Sequence, residues 1–247
     1  GTYNTALGID ALEYGLNNDF NIAIGQYAGL NLENATNNTL IGYNVLPTAT
    51  SGNGNVAVGQ NTLRDQIAVT GNTAVGTEAA RENTTGTFIT AIGYRAGRTN
   101  TVGTHLTLLG DQAAFSNLSG THNLAMGFTA SYSNVSGEYN VAIGDNALFS
   151  NTASNNIGVG GFAGYNITTG TQNTFIGYGS GFNGSQKVDA VNTTAIGRGS
   201  FTTKDNTVQL GNTSVIGVGV GVNRIEWLAS VPTTGVWARG SVVYNLS

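Results

Sequence analysis

The sequence predicts an all-β parallel solenoid of about twelve coils, and three observations lead to that prediction. A five-residue kernel recurs, its copies follow one another at a constant interval over most of the chain, and within it small side chains alternate with aliphatic ones. The repeating unit is too short for two packed helices. Alternation with a period of two is typical of a β-strand. Each repeat is therefore expected to form one coil with one principal strand.

The kernel ends in glycine, and this glycine defines the repeat. Residues 4–8 read NTALG and residues 21–25 read NIAIG. The steps between closing glycines are 17 as far as residue 144 and then 16, 17, 20 and 14. Small residues usually follow the glycine by three positions, and polar turn residues come next. This order predicts a short strand, a turn, a second and weaker strand, and a polar return. The closing glycines are Gly8, Gly25, Gly42, Gly59, Gly76, Gly93, Gly110, Gly127, Gly144, Gly160, Gly177, Gly197 and Gly211.

Alternation assigns the two faces of each strand. Asn4, Ala6 and Gly8 point to one side, and Thr5 and Leu7 point to the other. We expect the small residues inside a narrow coil, where stacked asparagines form an amide ladder of the kind found in cross-β stacks. The larger side chains form an outward column, which we call the aliphatic stripe. Its members are Leu7, Ile24, Ile41, Val58, Val75, Ile92, Leu109, Met126, Ile143, Val159, Ile176 and Ile196.

The aliphatic stripe predicts self-association. A coil that encloses mainly Ala and Gly gains little from burial at about 25 cal/mol per Å² of apolar surface. The protomer is thus expected to lack a core of its own, so that its stability depends on burying the stripe. Exposed apolar patches of this size mark interfaces. Closed symmetry among identical copies is the simplest way to cover the stripe.

Composition narrows the class of protein. The chain has no Cys, which excludes disulfides and thiolate metal sites. Its net charge of −4, without a basic stripe, argues against a nucleic-acid partner. No apolar run approaches the roughly 18 residues of a membrane span, so membrane insertion is not expected. No cofactor is predicted. Residues 1–211 are assigned to the solenoid and residues 212–247 to a small, non-repetitive β-rich C-terminal segment or cap.

Two kernels carry a resemblance to a known family. Residues 21–28, NIAIGQYA, and residues 140–147, NVAIGDNA, resemble the head repeats of trimeric autotransporter (YadA-like) adhesins. Similar repeats occur in bacteriophage tail fibres. The resemblance covers roughly residues 1–211 and implies a left-handed parallel β-roll. It also implies a homotrimer, in which three rolls pack side by side with the apolar strand face at the axis.

The C-terminal segments favour the phage branch of this resemblance. Residues 206–215 are similar to the segment that ends head repeats in phage tail fibres, and residues 231–245 resemble a short module of tail fibres and tailspikes. The resemblance implies a virion tail-fibre segment that binds a host cell-surface glycan or protein and joins other virion tail proteins. We expect a structural and binding protein rather than an enzyme. One alternative is the head of a trimeric adhesin on the bacterial outer surface.

An alternative of another class is a tailspike-type polysaccharide hydrolase, which needs two paired carboxylates. The acids Asp10, Glu78, Asp111 and Asp145 all occupy turn positions just after a strand. We interpret them as solvated turn acids that discourage edge pairing, rather than as catalytic groups.

The two histidines, His105 and His122, occupy equivalent positions of consecutive repeats and are expected to stack in adjacent coils. Two imidazoles supply only half of a tetrahedral metal site. No metal site is therefore predicted.

Aromatic and cationic side chains are the candidate receptor contacts. Aromatic rings stack on sugar faces and supply contact area at low entropic cost. The same residues have a competing interpretation as packing residues. The corner aromatics would then cover the coil corners, and the C-terminal tryptophans would fill the core of a trimeric cap. The corner candidates are Tyr27, Tyr43, Tyr94, Phe128, Phe162 and Tyr178, and the C-terminal candidates are Arg224, Trp227, Trp237 and Arg239.

Overall fold

The computed structural model describes residues 1–214, together with the backbone of residues 217–220 and 223–226. Thirteen strands form one parallel sheet in chain order, so each strand pairs with the strands before and after it in sequence. A separate antiparallel pair follows. The described residues form strands and turns, and none of them belongs to a helix that could cross a bilayer.

The strands are short and evenly distributed along the chain. With parallel strands about 4.8 Å apart, the large sheet is on the order of 55–60 Å long. The antiparallel pair consists of β14 (Gly217–Val220) and β15 (Asn223–Glu226). The sheet consists of β1 (Thr5–Leu7), β2 (Ile22–Ile24), β3 (Thr39–Ile41), β4 (Val56–Val58), β5 (Thr73–Val75), β6 (Ile89–Ile92), β7 (Leu106–Leu109), β8 (Leu124–Met126), β9 (Val141–Ile143), β10 (Ile157–Val159), β11 (Thr174–Ile176), β12 (Thr194–Ile196) and β13 (Val208–Leu210).

Equivalent residues of successive kernels lie side by side. Ala6 pairs with Ala23 and Leu7 with Ile24, and the later strands keep this register. The uneven steps near the C-terminus are absorbed outside the strands, since Ile176 still pairs with Ile196 across the longest step in the chain. The predicted all-β parallel solenoid of about twelve coils is therefore confirmed.

The wall opposite the sheet differs from the prediction of a second strand. The chain returns through turns there, and these turns are hydrogen-bonded between coils: the Leu12 N–H donates to the Ala28 carbonyl at 3.0 Å. Many of these turn residues have left-handed backbones, for example Leu63 with φ of 51° and Leu148 with φ of 49°. A left-handed residue costs about 1–2 kcal/mol. Burial of both leucine side chains and the bonds between coils offset that cost.

The inner face of the sheet carries the predicted asparagine ladder. Asn21, Asn38 and Asn55 are fully buried. The Asn38 Nδ2 donates to the Asn21 Oδ1 at 2.9 Å, and the Asn55 Nδ2 donates to the Asn38 Oδ1 at 3.0 Å. Each Asn Oδ1 also accepts the backbone N–H of the next Asn, so the ladder links side chains and backbone in every coil it crosses.

A second asparagine ladder was not predicted. The first ladder is interrupted where Ile89 and Leu106 occupy its column. The second ladder runs along the opposite wall through these coils, and the Asn100 Nδ2 donates to the Asn83 Oδ1 at 3.0 Å. The next step is closer, with 2.7 Å between the Asn117 Nδ2 and the Asn100 Oδ1. Buried amide bonds between coils thus continue through the gap in the first ladder.

The core is larger than predicted. Leu40, Leu108 and Phe175 on the inner face of the sheet are fully buried, although most strands place Ala there. Glycine on the opposite wall makes room for them: a Cβ atom on Gly29 would lie 3.0 Å from the Leu40 Cδ1, and one on Gly97 would lie 2.5 Å from the Leu108 Cδ1. Large and small residues thus face each other across the coil, as dense packing requires. The expectation that the protomer lacks a core of its own is wrong.

Candidate functional site

The aliphatic stripe lies on the outer face of the sheet, as predicted. Ile92 and Ile176 are exposed to 41% and 39%, and the remaining members are exposed or half-buried. Leu210 of β13 continues the stripe by one strand beyond its predicted end. None of the residues of β1–β13 is charged. The strands of the sheet thus present an uncharged outer face, which no residue of the described part of the chain covers. The position of the stripe at a trimer axis remains a prediction.

The predicted corner aromatics follow the closing glycine by one or two residues, where each strand ends and the first turn begins. Tyr43, Tyr94, Phe128 and Tyr178 are exposed, and Tyr27 is half-buried. The Tyr27 and Tyr43 rings contact at a tilted 6.1 Å between centroids. The half-buried Phe162 contacts the Tyr178 ring at 5.9 Å, whereas Tyr94 and Phe128 contact no other ring among the described residues, so the corner aromatics do not form one continuous row.

Of the C-terminal candidates, Arg224 alone lies within the described residues. The Arg95 guanidinium lies over the Tyr94 ring, 4.7 Å from its centroid. Arg224 belongs to β15, and its backbone pairs with that of Gly219 in β14. Trp227, Trp237 and Arg239 lie outside the described residues, and their predicted role in receptor contact stays a prediction.

A continuous row of rings lies instead on the opposite wall, and we call it the aromatic column. It comprises Phe115, Tyr132, Phe149 and Tyr165, with centroid separations of 5.3, 5.2 and 5.0 Å and interplanar angles of 7–9°. Phe182 in the next coil contacts Tyr165 edge-on at 5.4 Å. Sequence reasoning missed this column. The sequence does contain a signal for it. From Phe115 to Phe182 the aromatic residues are 17, 17, 16 and 17 positions apart, which are the same steps as those between the closing glycines of these coils.

A second row of rings lies just before the strands. His105 and His122 stack with 4.8 Å between centroids and 3° between planes, which confirms that they stack in adjacent coils. Tyr139 stacks on His122 at 4.8 Å, and Phe88 contacts His105 at 5.2 Å. Among the described residues no group of three His, Cys, Asp or Glu side chains could hold a metal ion.

Glu78 is the centre of an ion-pair cluster. Its carboxylate accepts hydrogen bonds from Arg81 at 3.0 Å, Arg95 at 2.8 Å and Arg98 at 3.2 Å. Arg98 also pairs with Glu82 at 3.2 Å. The prediction of a solvated turn acid is therefore wrong for Glu78, whose side chain is only 15% exposed.

The cluster determines the protonation of Glu78. Burial raises the pKa of this carboxyl, but the hydrogen bond from Arg95 and the charges of Arg81, Arg95 and Arg98 outweigh burial, so the pKa is lowered overall. A general acid of a glycoside hydrolase needs the opposite shift. Glu78 therefore has the wrong electrostatics for the proton donor of a hydrolase.

Comparison with known proteins adds no relative. The sequence matches no model of a protein family and no curated protein. Function is therefore inferred from the surfaces of the solenoid and from its repeats.

Proposed function

We propose that the chain is a segment of a homotrimeric bacteriophage tail fibre, which serves as a rigid shaft and attaches the virion to the host cell surface. The observation that carries this proposal is the aliphatic stripe. With Leu210 it runs over all thirteen strands of the sheet, whose residues carry no charge, and the described residues of the protomer leave it uncovered.

The stripe needs a partner for a general reason. Parallel sheets occur almost only where both faces are covered. In this chain the opposite wall covers the inner face, and nothing in the described part of the protomer covers the outer one. Packing identical copies around an axis parallel to the solenoid brings equivalent coils to the same level, so that stripe meets stripe along the whole length. Such closed symmetry is the norm for homo-oligomers.

The resemblance to adhesin heads and phage tail fibres is the basis for three further parts of the proposal. These are the number of copies, the left-handed coil and the β-rich tip. The kernels at residues 21–28 and 140–147 support the head repeat, and residues 206–215 and 231–245 support the phage branch. The bacterial adhesin head stays the alternative, since it shares the repeats.

Attachment would act through multivalency. In the proposed trimer, exposed corner residues such as Tyr43, Tyr94 and Phe128 occur in three identical copies. Weak contacts with a host glycan or protein are then multiplied, because the second and third contacts form at high effective concentration.

The assembly is tested by one charge placed on the stripe. Leu109→Asp buries a carboxylate at the proposed axis and should reduce the mass measured by light scattering, or prevent assembly. Leu118→Asp is the matched control, because Leu118 is exposed to 42% on another side of the coil and should leave a trimer mass. A wild-type chain that is monomeric at micromolar concentration would refute the trimer.

Host attachment is tested by binding of the intact assembly to whole cells. Saturable binding to bacterial cells is expected of a tail fibre. Binding to animal extracellular matrix proteins, with none to bacteria, would favour the adhesin head instead.

A further inference from the structure

The aromatic column lies on the wall opposite the sheet, away from the aliphatic stripe. The residues just before the rings of Phe115, Tyr132 and Phe149 are buried, and the largest of them, Leu148, is fully buried. It packs across the coil, since a Cβ atom on Gly158 of β10 would lie 2.9 Å from the Leu148 Cγ. The rings that follow these inward residues are half-buried on the outer surface. The column would therefore remain open in an assembly that covers the sheet.

The rings form a stepped stack in which neighbouring rings cover only part of each ring face. Carbon atoms in contact prefer separations of about 3.5–4.0 Å. The centroids are 5.0–5.3 Å apart while the planes are nearly parallel, so rings in contact must be slipped sideways. This offset arrangement is the favoured geometry for aromatic pairs. It leaves part of each ring face open, once per coil.

A polar row flanks the column. Ser116, Ser133 and Ser150 directly follow the rings of Phe115, Tyr132 and Phe149. Their backbone N–H groups are used between coils; that of Ser133, for example, donates to the Phe149 carbonyl at 3.0 Å. Their hydroxyl groups lie at the half-buried surface and can both donate and accept hydrogen bonds. Three of the four coils thus offer part of a ring face and one serine hydroxyl, and Asn166 takes the place of the serine after Tyr165.

We propose that the aromatic column binds a linear polysaccharide laid along the solenoid, with one sugar ring to each coil. A pyranose has an apolar C–H face that stacks on an aromatic ring and hydroxyl groups at its edge that bond to a flanking polar row. The spacing between rings is close to the advance of one sugar in an extended chain. The ligand of the proposed host attachment would then be a polysaccharide of the host cell surface. This assignment rests on the proposed function, because host attachment is what brings the column to such a polysaccharide.

The length of the ligand gives the first test. Oligosaccharides of increasing length, prepared from a polysaccharide that the full chain retains in affinity electrophoresis, should bind more tightly with each added sugar until the four stacked rings are occupied. The screening panel is purified O-antigen, capsular polysaccharide and peptidoglycan strands. No retention by any of them, or affinity that stops rising at a disaccharide, would overturn the proposal.

Two tyrosines of one coil give a matched pair of variants. Tyr132→Ala removes a ring from the aromatic column, and Tyr139→Ala removes a stacked ring from the other row. Tyr132→Ala should weaken binding about tenfold, which corresponds to about 1.4 kcal/mol, and Tyr139→Ala should leave it unchanged. Equal effects of the two variants would contradict the assignment of the column.

Light scattering on the same samples separates this proposal from the trimer. Loss of binding by Tyr132→Ala at an unchanged mass supports the column, whatever that mass is. If Tyr132→Ala does not fold, Tyr132→Leu replaces it, because leucine keeps the apolar volume without the flat ring. Full binding by a folded Tyr132→Leu protein would show that the ring is not a sugar platform.

Discussion

The Asn38 side chain lies directly over that of Asn21, with 2.9 Å between the Asn38 Nδ2 and the Asn21 Oδ1. The same Nδ2 donates to the Gly52 carbonyl at 2.9 Å, and the Asn38 Oδ1 accepts the backbone N–H of Asn55 at 2.9 Å. One buried amide therefore joins three consecutive coils. This relationship makes the ladder a measurable part of the stability of the solenoid.

Asn38→Ala should lower the free energy of unfolding by about 1–3 kcal/mol, because it leaves buried partners without hydrogen bonds. Urea unfolding followed by circular dichroism at fixed protein concentration measures the change. Asn53→Ala is the control, since Asn53 is exposed and, among the described residues, its side chain accepts hydrogen bonds only from Thr36. Similar losses for the two variants would mean that the ladder adds nothing beyond an ordinary surface bond.

Gln66→Leu should stabilise the protein. Gln66 is fully buried, and neither its Oε1 nor its Nε2 has a hydrogen-bond partner among the described residues. An unsatisfied buried polar group costs about 1–3 kcal/mol, and Leu32 shows that leucine fits the same position of an earlier coil. The expected gain is about 1 kcal/mol in the same unfolding assay. Gln60→Leu, at an exposed corner, should give no gain, and a loss for Gln66→Leu would indicate that the amide is bonded in solution.

The sheet could be predicted from the sequence because period and alternation act together there. Register follows from the constant step between closing glycines, and the orientation of Ala6 and Leu7 follows from alternation. Even the longest and most irregular step leaves Ile176 opposite Ile196. Residues that repeat every coil carry this information redundantly.

The opposite wall could not be predicted in the same way. Leucine has no propensity for the left-handed backbone that Leu63 and Leu148 adopt. The conformation is imposed by bonds between coils and by burial, which only the assembled solenoid supplies. The ion pairs of Glu78 join residues up to 20 positions apart, so they too depend on the stacking of coils.

The aromatic column could be predicted from the sequence less readily than the sheet but more readily than the turns of the opposite wall. Its period is visible in the sequence, but the rings next to the kernel, such as Tyr43 and Tyr94, are more conspicuous. Phe115 and Tyr132 lie in a part of the repeat that carries other residue types, including Arg64 and Arg81, in earlier coils. Their importance comes from stacking on rings of neighbouring coils, which depends on the three-dimensional structure.

Gly164→Ala tests the packing between the two walls. A Cβ atom at this position would lie 2.6 Å from the Leu148 Cδ2 and 2.9 Å from the Phe175 Cδ2, and the glycine has φ of +65°. The left-handed backbone alone costs a non-glycine residue about 1–2 kcal/mol, and the overlap adds to it. We expect a loss of at least about 2 kcal/mol in urea unfolding.

A double-mutant cycle separates the two causes of that loss. Phe175→Leu removes the ring that the new Cβ would meet, so the loss in Gly164→Ala/Phe175→Leu should be smaller than the sum of the single losses. Gly161→Ala is the control, because Gly161 does not have a left-handed backbone and its new Cβ would have the Tyr178 ring as its nearest neighbour, at 3.3 Å. Additive losses in the cycle would mean that the Phe175 ring contributes nothing to the loss, which would then come from backbone strain and the overlap with Leu148.

Glu78→Gln tests the ion-pair cluster through its pH dependence. At neutral pH the variant should lose about 1.5–3 kcal/mol, because Arg81, Arg95 and Arg98 lose a charged acceptor. The pKa of Glu78 is lowered from its ordinary value of 4.5, so the carboxylate stabilises the folded state fully above that value. As the pH falls below 4.5 through the lowered pKa, the contribution disappears and the two proteins should converge.

Urea midpoints of wild type and Glu78→Gln between neutral pH and the acid limb measure this convergence. Glu13→Gln is the reference, because Glu13 is exposed and should change stability little at any pH. A gap between wild type and Glu78→Gln that stays constant through the acid range would mean that the substitution acts by packing, since only a group that titrates in that range can close it.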